Sequence, residues 1–326
     1  MQRPPQPALS GGGDTLAGAP RISVRVRVPA TTANLGPGFD ALGLALDLHE
    51  EVVLRRLPDS ENGPQISIQG LNARRLHADQ NLLAYQGALA VYRRLEIPTP
   101  PLALELRTRI PRSGGLGGSA AAIVGGIAAA NALEGGPLDP DSLLALASEV
   151  EGHPDNVSAA LLGGLVITVH GRKGLLAKRL DPPKGLSAVV VVPRHSISTK
   201  AARSVLPAQL SVKDAVFNLS RTALLIAAFQ TRDWRLLRDA MEDRLHQPAR
   251  GGIFPALFPT IDAALAAGAH GAALSGSGAA IIALATERHD GIALAMSAAA
   301  DAHGAPCSTM LLRLSATGAR VVATEG

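Results

Sequence analysis

Cysteine is almost missing from this sequence: Cys307 is the single one in 326 residues. That excludes an internal disulfide framework and a cysteine-rich metal cluster, and it suits a reducing cytoplasm. Aromatic residues are 2% of the chain, too few for the stacking platforms that hold single-stranded nucleic acid. Basic blocks are also lacking. The net charge of +4 comes from scattered arginines, a distribution that suits small anions and excludes a nucleic-acid partner. No hydrophobic run is long enough for a membrane: the stretch 120–133 is interrupted by Gly125, Gly126 and Asn131 and is shorter than the ~18 residues that mark a span. Residues 1–20, rich in Pro and Gly and without an apolar leader, are expected to be a disordered tail. The reading is a soluble cytoplasmic protein with no membrane and no nucleic acid.

What remains is ordinary for a folded protein. At 47% hydrophobic residues, the chain has enough apolar material for two modest cores, and two domains are expected. Ile22, Val24, Val26 and Val28 alternate with Ser23, Arg25 and Arg27, the period of a strand with one wet face. Leu102, Leu104, Leu106 and Ile110 alternate in the same way with Glu105, Arg107 and Arg109. Shorter strands are expected around Val53 and Ile66. From Ser119 the sequence is apolar on nearly every face, which predicts a buried helix ending near Gly135, and a second helix follows over 141–151. The run SAVVVVP, 187–193, predicts a buried strand that opens a new unit. Helices are expected over 214–228, 234–245 and 261–267, with strands on either side of Ser275 to Gly278. The class is α+β in both halves, divided into 21–180 and 181–326.

The strongest local feature is PRSGGLGGSAA, residues Pro111, Arg112, Ser113, Gly114, Gly115, Leu116, Gly117, Gly118, Ser119, Ala120 and Ala121. Four glycines let main-chain N–H groups converge, and the helix that starts beyond them adds unsatisfied donors and the positive end of its dipole. A triphosphate fits. No Lys-Ser or Lys-Thr pair follows the glycines, so this is not a P-loop. Gly115, Gly117 and Ala120 do match a dinucleotide fingerprint, but a Rossmann strand is buried on both faces and the strand here alternates with charge.

Four other segments carry polar groups in suggestive settings. PATTANLGPGFDALGLAL places Asn34 and Asp40 in a Pro/Gly turn at a strand end. EVEGHPDN crowds Glu149, Glu151, His153 and Asp155 before Asn156, and a carboxylate there suits Mg²⁺. Taken alone, the same cluster also reads as a solvated helix end. STKAAR offers Thr199 and Arg203, and DRLHQPAR offers Arg250. Two arginines brought to one pocket would recognise the carboxylate of an amino acid.

In order and in detail, these segments resemble the homoserine kinase family of the GHMP superfamily, over about Val24 to Ala285; ALSGSGAAI, from Ala273, resembles the superfamily's third motif. The resemblance implies a two-domain fold, an N-terminal α+β domain with an antiparallel sheet and a C-terminal ferredoxin-like domain. It implies transfer of the γ-phosphoryl group of ATP to the hydroxyl of L-homoserine, in threonine biosynthesis, with Mg²⁺ as cofactor, and a homodimer. By position, 111–121 would wrap the phosphates and Ser119 would help hold Mg²⁺. Glu149 and Glu151 both stand where the carboxylate ligand belongs, and Glu149 is preferred. Asn34, Asp40, His153, Asn156, Arg203 and Arg250 would hold homoserine, with Thr199 beside the transferring phosphoryl. The alternatives are another GHMP-type kinase, a silent relative, or a dinucleotide-dependent oxidoreductase. Gly118 stands where the family has the first of two serines, and Ala279 where proline is common.

Overall fold

The computed structural model describes residues 22–326 apart from Asn62, Asn72, Ser113 and Ser196. The expected tail, residues 1–20, and the loop residue Ser113 therefore lie outside the described residues.

The elements run in the order β1 (Ser23–Asn34), β2 (Gly38–Arg56), β3 (Gln65–Gly70), α1 (Leu83–Leu95), β4 (Leu102–Thr108), α2 (Gly118–Leu133), α3 (Pro140–Glu151), α4 (Pro154–Leu162), β5 (Leu165–Gly171) and β6 (Gly174–Leu180). Then come β7 (Ser187–Pro193), α5 (Thr199–Ser204), α6 (Val212–Thr231), α7 (Leu237–Ala240), α8 (Gln247–Gly251), α9 (Leu257–Ala266), β8 (Gly271–Leu274), β9 (Ile281–Ala285), α10 (His289–Ala302), β10 (Cys307–Arg313) and β11 (Arg320–Glu325).

Two sheets organise these elements. The first has seven strands in the order β11-β1-β2-β4-β3, with β5 branching from β2 and β6 completing it. All its pairs are antiparallel except β3 with β4. In β1, Val24, Val26 and Val28 are buried as the alternation predicts, whereas Ile22, just outside the strand, is 53% exposed. The helix α2 lies against this face and is buried almost all round, which explains its lack of a polar stripe. Its paired glycines serve packing: a Cβ on Gly126 would fall on the Ala84 carbonyl of α1, and one on Gly125 would meet Val52 of β2.

The second sheet follows the sequence β7, α9, β8, β9, α10, β10 in the spatial order β10-β7-β9-β8, the ferredoxin-like arrangement, with α5 to α8 inserted between β7 and α9. Its strand β7 is buried on both faces. Val190 and Val192 belong to the large core shared with the first sheet, while Val189 and Val191 belong to a smaller core under α9 and α10. That double burial is why its sequence is a continuous apolar run.

Two expectations are revised. The helix predicted over 234–245 is a short 3₁₀ turn, Trp234–Leu236, followed by α7, after which the chain turns. The carboxylate of Asp243 ends it by accepting the backbone N–H groups of Leu245, His246 and Gln247 at 2.9, 2.9 and 2.6 Å. Strand β11, in a stretch where no strand is expected, pairs with β1 at the edge of the first sheet although it falls within 181–326. Among the described residues no helix is long and apolar enough to cross a membrane.

Candidate active site

A single cleft of about 860 Å³ collects most of the residues singled out in the sequence. It lies where the loop before α2, the β1–β2 turn, the start of α4, the segment around α5 and the β8–β9 turn meet.

The glycine loop forms its floor. Gly117, the N-cap of α2, has φ +67° and makes no side-chain cap, so the first N–H groups of α2 have no partner from the cap. A Cβ there would collide with the Thr31 hydroxyl, and one on Gly115, at φ +74°, with the Ser275 carbonyl. Only glycine lets these backbones approach. Arg112, Gly114, Gly115, Gly117, Gly118 and Ser119 line the cleft. Leu116, Ala120 and Ala121 are instead fully buried in the core, where the Leu116 carbonyl accepts the Thr31 N–H at 3.1 Å. Pro111, half-buried, sits behind the loop.

Ser119 Oγ donates to Glu151 Oε1 at 2.6 Å. Burial pushes the Glu151 carboxyl upward, against the opposing pull of that hydroxyl. Glu149 is the correction: its carboxylate accepts two hydrogen bonds from Arg94, at 3.0 and 2.7 Å, on the outer surface, and its side chain is 61% exposed. The two glutamates lie two residues apart on one helix and so point nearly opposite ways. Leu143 and Ala147 are buried, and Glu151 continues that i, i+4, i+8 line, a signal available in the sequence.

At the start of α4, His153 Nδ1 bonds Asp155 Oδ1 at 2.8 Å. That bond, before the opposing effect of burial, holds the imidazole above its usual pKa. Asn156 is tied to β1, its Oδ1 accepting the Thr31 hydroxyl at 2.8 Å.

On the opposite wall, Arg203 donates to both oxygens of Asp40, at 2.9 and 2.7 Å, joining α5 to β2. Asn34 fixes the turn between them: its Nδ2 donates to the Gly276 carbonyl at 2.9 Å and its Oδ1 accepts the Asp40 N–H at 3.1 Å. Both residues have positive φ, 70° and 53°, a conformation that Asn and Asp tolerate better than most side chains. Arg250, 2% exposed, donates from Nε to the Ala202 carbonyl at 3.2 Å and from Nη1 to Gly276 at 2.9 Å. Its Nη1 also lies 3.0 Å from His246 Nδ1. Since that nitrogen must accept, the imidazole is neutral with its proton on Nε2, which donates to the Gly36 carbonyl at 2.8 Å. Burial depresses His246 to about 4, consistent with that tautomer. Burial, reinforced by nearby Arg203, brings Arg250 down to about 10, leaving it cationic at neutral pH. The Phe39 ring holds the two guanidiniums 5.4 and 5.5 Å from its centroid. Phe39, Thr31 and His246 are site-building residues that sequence reasoning missed, because each acts through another residue.

Thr199, at the start of α5, faces Ser277 across 3.4 Å at the mouth of the cleft. Among the described residues no group of three or more His, Cys, Asp or Glu is placed to hold a metal. The pair of Ser119 and Glu151 suits a divalent cation whose other positions are filled by phosphate oxygens and water.

Comparison with known proteins shows the family. The family models for the GHMP kinases N terminal domain and the GHMP kinases C terminal match residues 83–164 and 225–302. A homoserine kinase of Moorella thermoacetica is 44% identical over 91% of this chain and 99% of its own length. One of Symbiobacterium thermophilum is 46% identical, covering 93% and 96%. The crystal structure of a homoserine kinase from Cytophaga hutchinsonii superposes with a TM-score of 0.83 at 34% identity, covering 93% of this chain and 98% of that one.

Proposed function

The chain belongs to the homoserine kinases within the GHMP kinases, and from that premise we propose how its own residues carry out ATP-dependent phosphorylation of L-homoserine. The observation that carries the reading is the facing of two sets of groups in one cleft. A glycine loop running into a helix N-terminus that its N-cap glycine leaves without a side-chain cap forms one side, and the pair Arg203 and Arg250 with Asp40 forms the other.

Phosphates rest on the N–H groups at 114–119, where the dipole of α2 favours negative charge. Ser119 and Glu151 would hold Mg²⁺, which when bound neutralises charge on the β- and γ-phosphates. Homoserine is a zwitterion, and the opposite wall carries matching charges. Arg203 and the remaining amino group of Arg250, Nη2, take its carboxylate, while Asp40 takes its ammonium. Binding therefore exchanges the Asp40–Arg203 ion pair for two pairs with the ligand. Asn34 and Asn156 hold the surrounding turns, and His153 and Thr199 flank the path between the acceptor hydroxyl and the phosphates. In the transfer, a bond forms from the acceptor oxygen to the γ-phosphorus as the bond to the β–γ bridging oxygen breaks, the hydroxyl proton passing to a phosphate oxygen or to water and ADP leaving. Such a loose transition state requires alignment and charge neutralisation more than a strong base.

We also propose Mg²⁺ as the cation, a cytoplasmic setting, a domain division near residue 180 with 320–325 returning to the first unit, and a homodimer. The exposed apolar stripe Val212, Val216 and Leu219 on α6 supports a protein contact. Light scattering on the purified protein measures the oligomer. The reaction is tested by ADP release with ATP, Mg²⁺ and L-homoserine, L-threonine, mevalonate or galactose in turn. Turnover dependent on homoserine is expected, and turnover with another acceptor alone would overturn the substrate.

A further inference from the structure

The two arginines of the acceptor wall are held in different ways. Arg203 is bound through both amino groups to the carboxylate of Asp40. Arg250 is held by three neutral acceptors, the Ala202 and Gly276 carbonyls and His246 Nδ1. A carboxylate does stand behind Arg250, but that of Asp243 is taken up elsewhere: it accepts the N–H groups of Leu245, His246 and Gln247 and the amide of Asn218. The imidazole of His246, fully buried and without a part in the phosphoryl transfer, lies between the two. Its Nε2 donates to the Gly36 carbonyl and is 3.6 Å from Asp243 Oδ2, while Nδ1, across the ring, faces Arg250 at 3.0 Å.

We propose that His246 is a positioning residue for homoserine: its neutral ring anchors Arg250 and keeps the guanidinium apart from Asp243, so that the charge of Arg250 stays available to the ligand carboxylate. The proposal deepens the kinase reading and rests on it, since it takes Arg250 as a ligand of that carboxylate.

An arginine already paired with a carboxylate has part of its charge offset before a ligand arrives, and within a protein such pairs interact strongly. Binding at Arg203 has to displace a pair of this kind; at Arg250 there is none to displace. The arrangement is built locally. His246 and Arg250 stand four residues apart at the two ends of the short α8, which puts them on one face. The Phe39 ring packs on both, 5.4 Å from the imidazole and 5.5 Å from the guanidinium.

The experiment compares two side chains of one shape. Asn carries an oxygen as many bonds from the backbone as Nδ1, and Leu has the same branching with no acceptor. Both lose the donor to Gly36, so they differ in the bond to Arg250. KM for homoserine and for ATP is measured for full-length His246→Asn and His246→Leu, each alone and combined with Arg250→Met. The Leu variant is expected to show a homoserine KM roughly tenfold above that of the Asn variant, the scale of one hydrogen bond from a charged donor, with kcat and the KM of ATP alike in both. In the Arg250→Met background the difference should vanish, as it must for a residue that acts through another. Equal homoserine KM in the two single variants, or a difference that persists without Arg250, would overturn the assignment. Should the variants fail to fold, ¹⁵N NMR of the unaltered protein decides: with homoserine bound or absent, His246 is expected to be neutral with its proton on Nε2, and a ring charged or protonated on Nδ1 would overturn the proposal equally. Failure of the kinase reading would show separately, as no homoserine-dependent ADP release by the unaltered protein at saturating ATP.

Discussion

Replacing Arg203 by alanine tests whether the ion pair in the cleft gives way to substrate. In the present structure both of its amino groups are bound to Asp40, at 2.9 and 2.7 Å. Homoserine must displace that contact to reach Arg203. The displaced pair is about one-third exposed on each side, and such pairs contribute only about 1 kcal/mol. The bond formed to the ligand carboxylate is charge-assisted and contributes about 3 kcal/mol at most. The variant forfeits the second and no longer spends the first, so its net loss is about 2 kcal/mol, or about 30-fold in homoserine affinity. Steady-state kinetics with each substrate varied in turn reads this directly. The KM of homoserine should rise by that factor while the KM of ATP stays within about twofold, because Arg203 lies on the acceptor wall. The Asp40→Asn variant should show a smaller rise, since its side chain keeps the shape and one accepting oxygen while losing the charge. A rise below threefold for Arg203→Ala, or an equal rise for both substrates, would refute the exchange of ion pairs.

Gly117→Ala should destabilise the fold and abolish ATP use, since a Cβ meets Thr31 at φ +67°; chemical denaturation should show a loss of about 2 kcal/mol or more. Gly118→Ser, by contrast, should fold and turn over normally, because the nearest atom to a Cβ at Gly118 is 3.7 Å away; a large loss of activity would show that the loop is misread. Glu151→Gln should raise the Mg²⁺ concentration needed for half-maximal rate at least tenfold, while Glu149→Gln leaves it unchanged; the reverse order would restore Glu149 as the ligand. The carboxyl of Glu50 is raised from 4.5 to about 7 in the folded state. Its protonated form is therefore favoured by folding, and the associated stability is complete below pH 4.5 and lost as pH rises through 7. Glu50→Gln removes that loss and should be more stable than the parent at pH 8.5, by up to about 3 kcal/mol, with no advantage at pH 4.5; denaturant midpoints at the two pH values decide it.

Much of this architecture could be read from the chain because its signals are local. The run at 187–193 is apolar without a break, and β7 is buried on both faces. The glycine loop and the motifs around Asn34, His153, Arg203 and Arg250 converge on one cleft. What escaped depended on partners far away in sequence. Glu50 and Glu51 look alike as neighbours, and only Thr108, 58 positions on, separates a buried acid from a surface ion pair. The choice between Glu149 and Glu151 was a question of helix phase, and the charge of Arg94 decided where the first one went. Arg203 and Asp40 were each assigned to the ligand, and their bond to one another emerges only when α5 is laid against β2. The short α7 likewise ends because Asp243 captures three amides, a tertiary choice that overrides helix propensity.

The return of β11 to β1 has a consequence for synthesis. Strand β1 is made first, yet the partner of its outer edge, residues 320–325, emerges nearly three hundred residues later. At about 5–20 residues per second, the nascent first sheet presents that edge for tens of seconds. An open edge is a template for pairing with other chains. Arg25, half-exposed on that strand, places positive charge along it during the wait, where it disfavours pairing with a second copy of the same strand; Arg27 is already paired with Glu51 of β2.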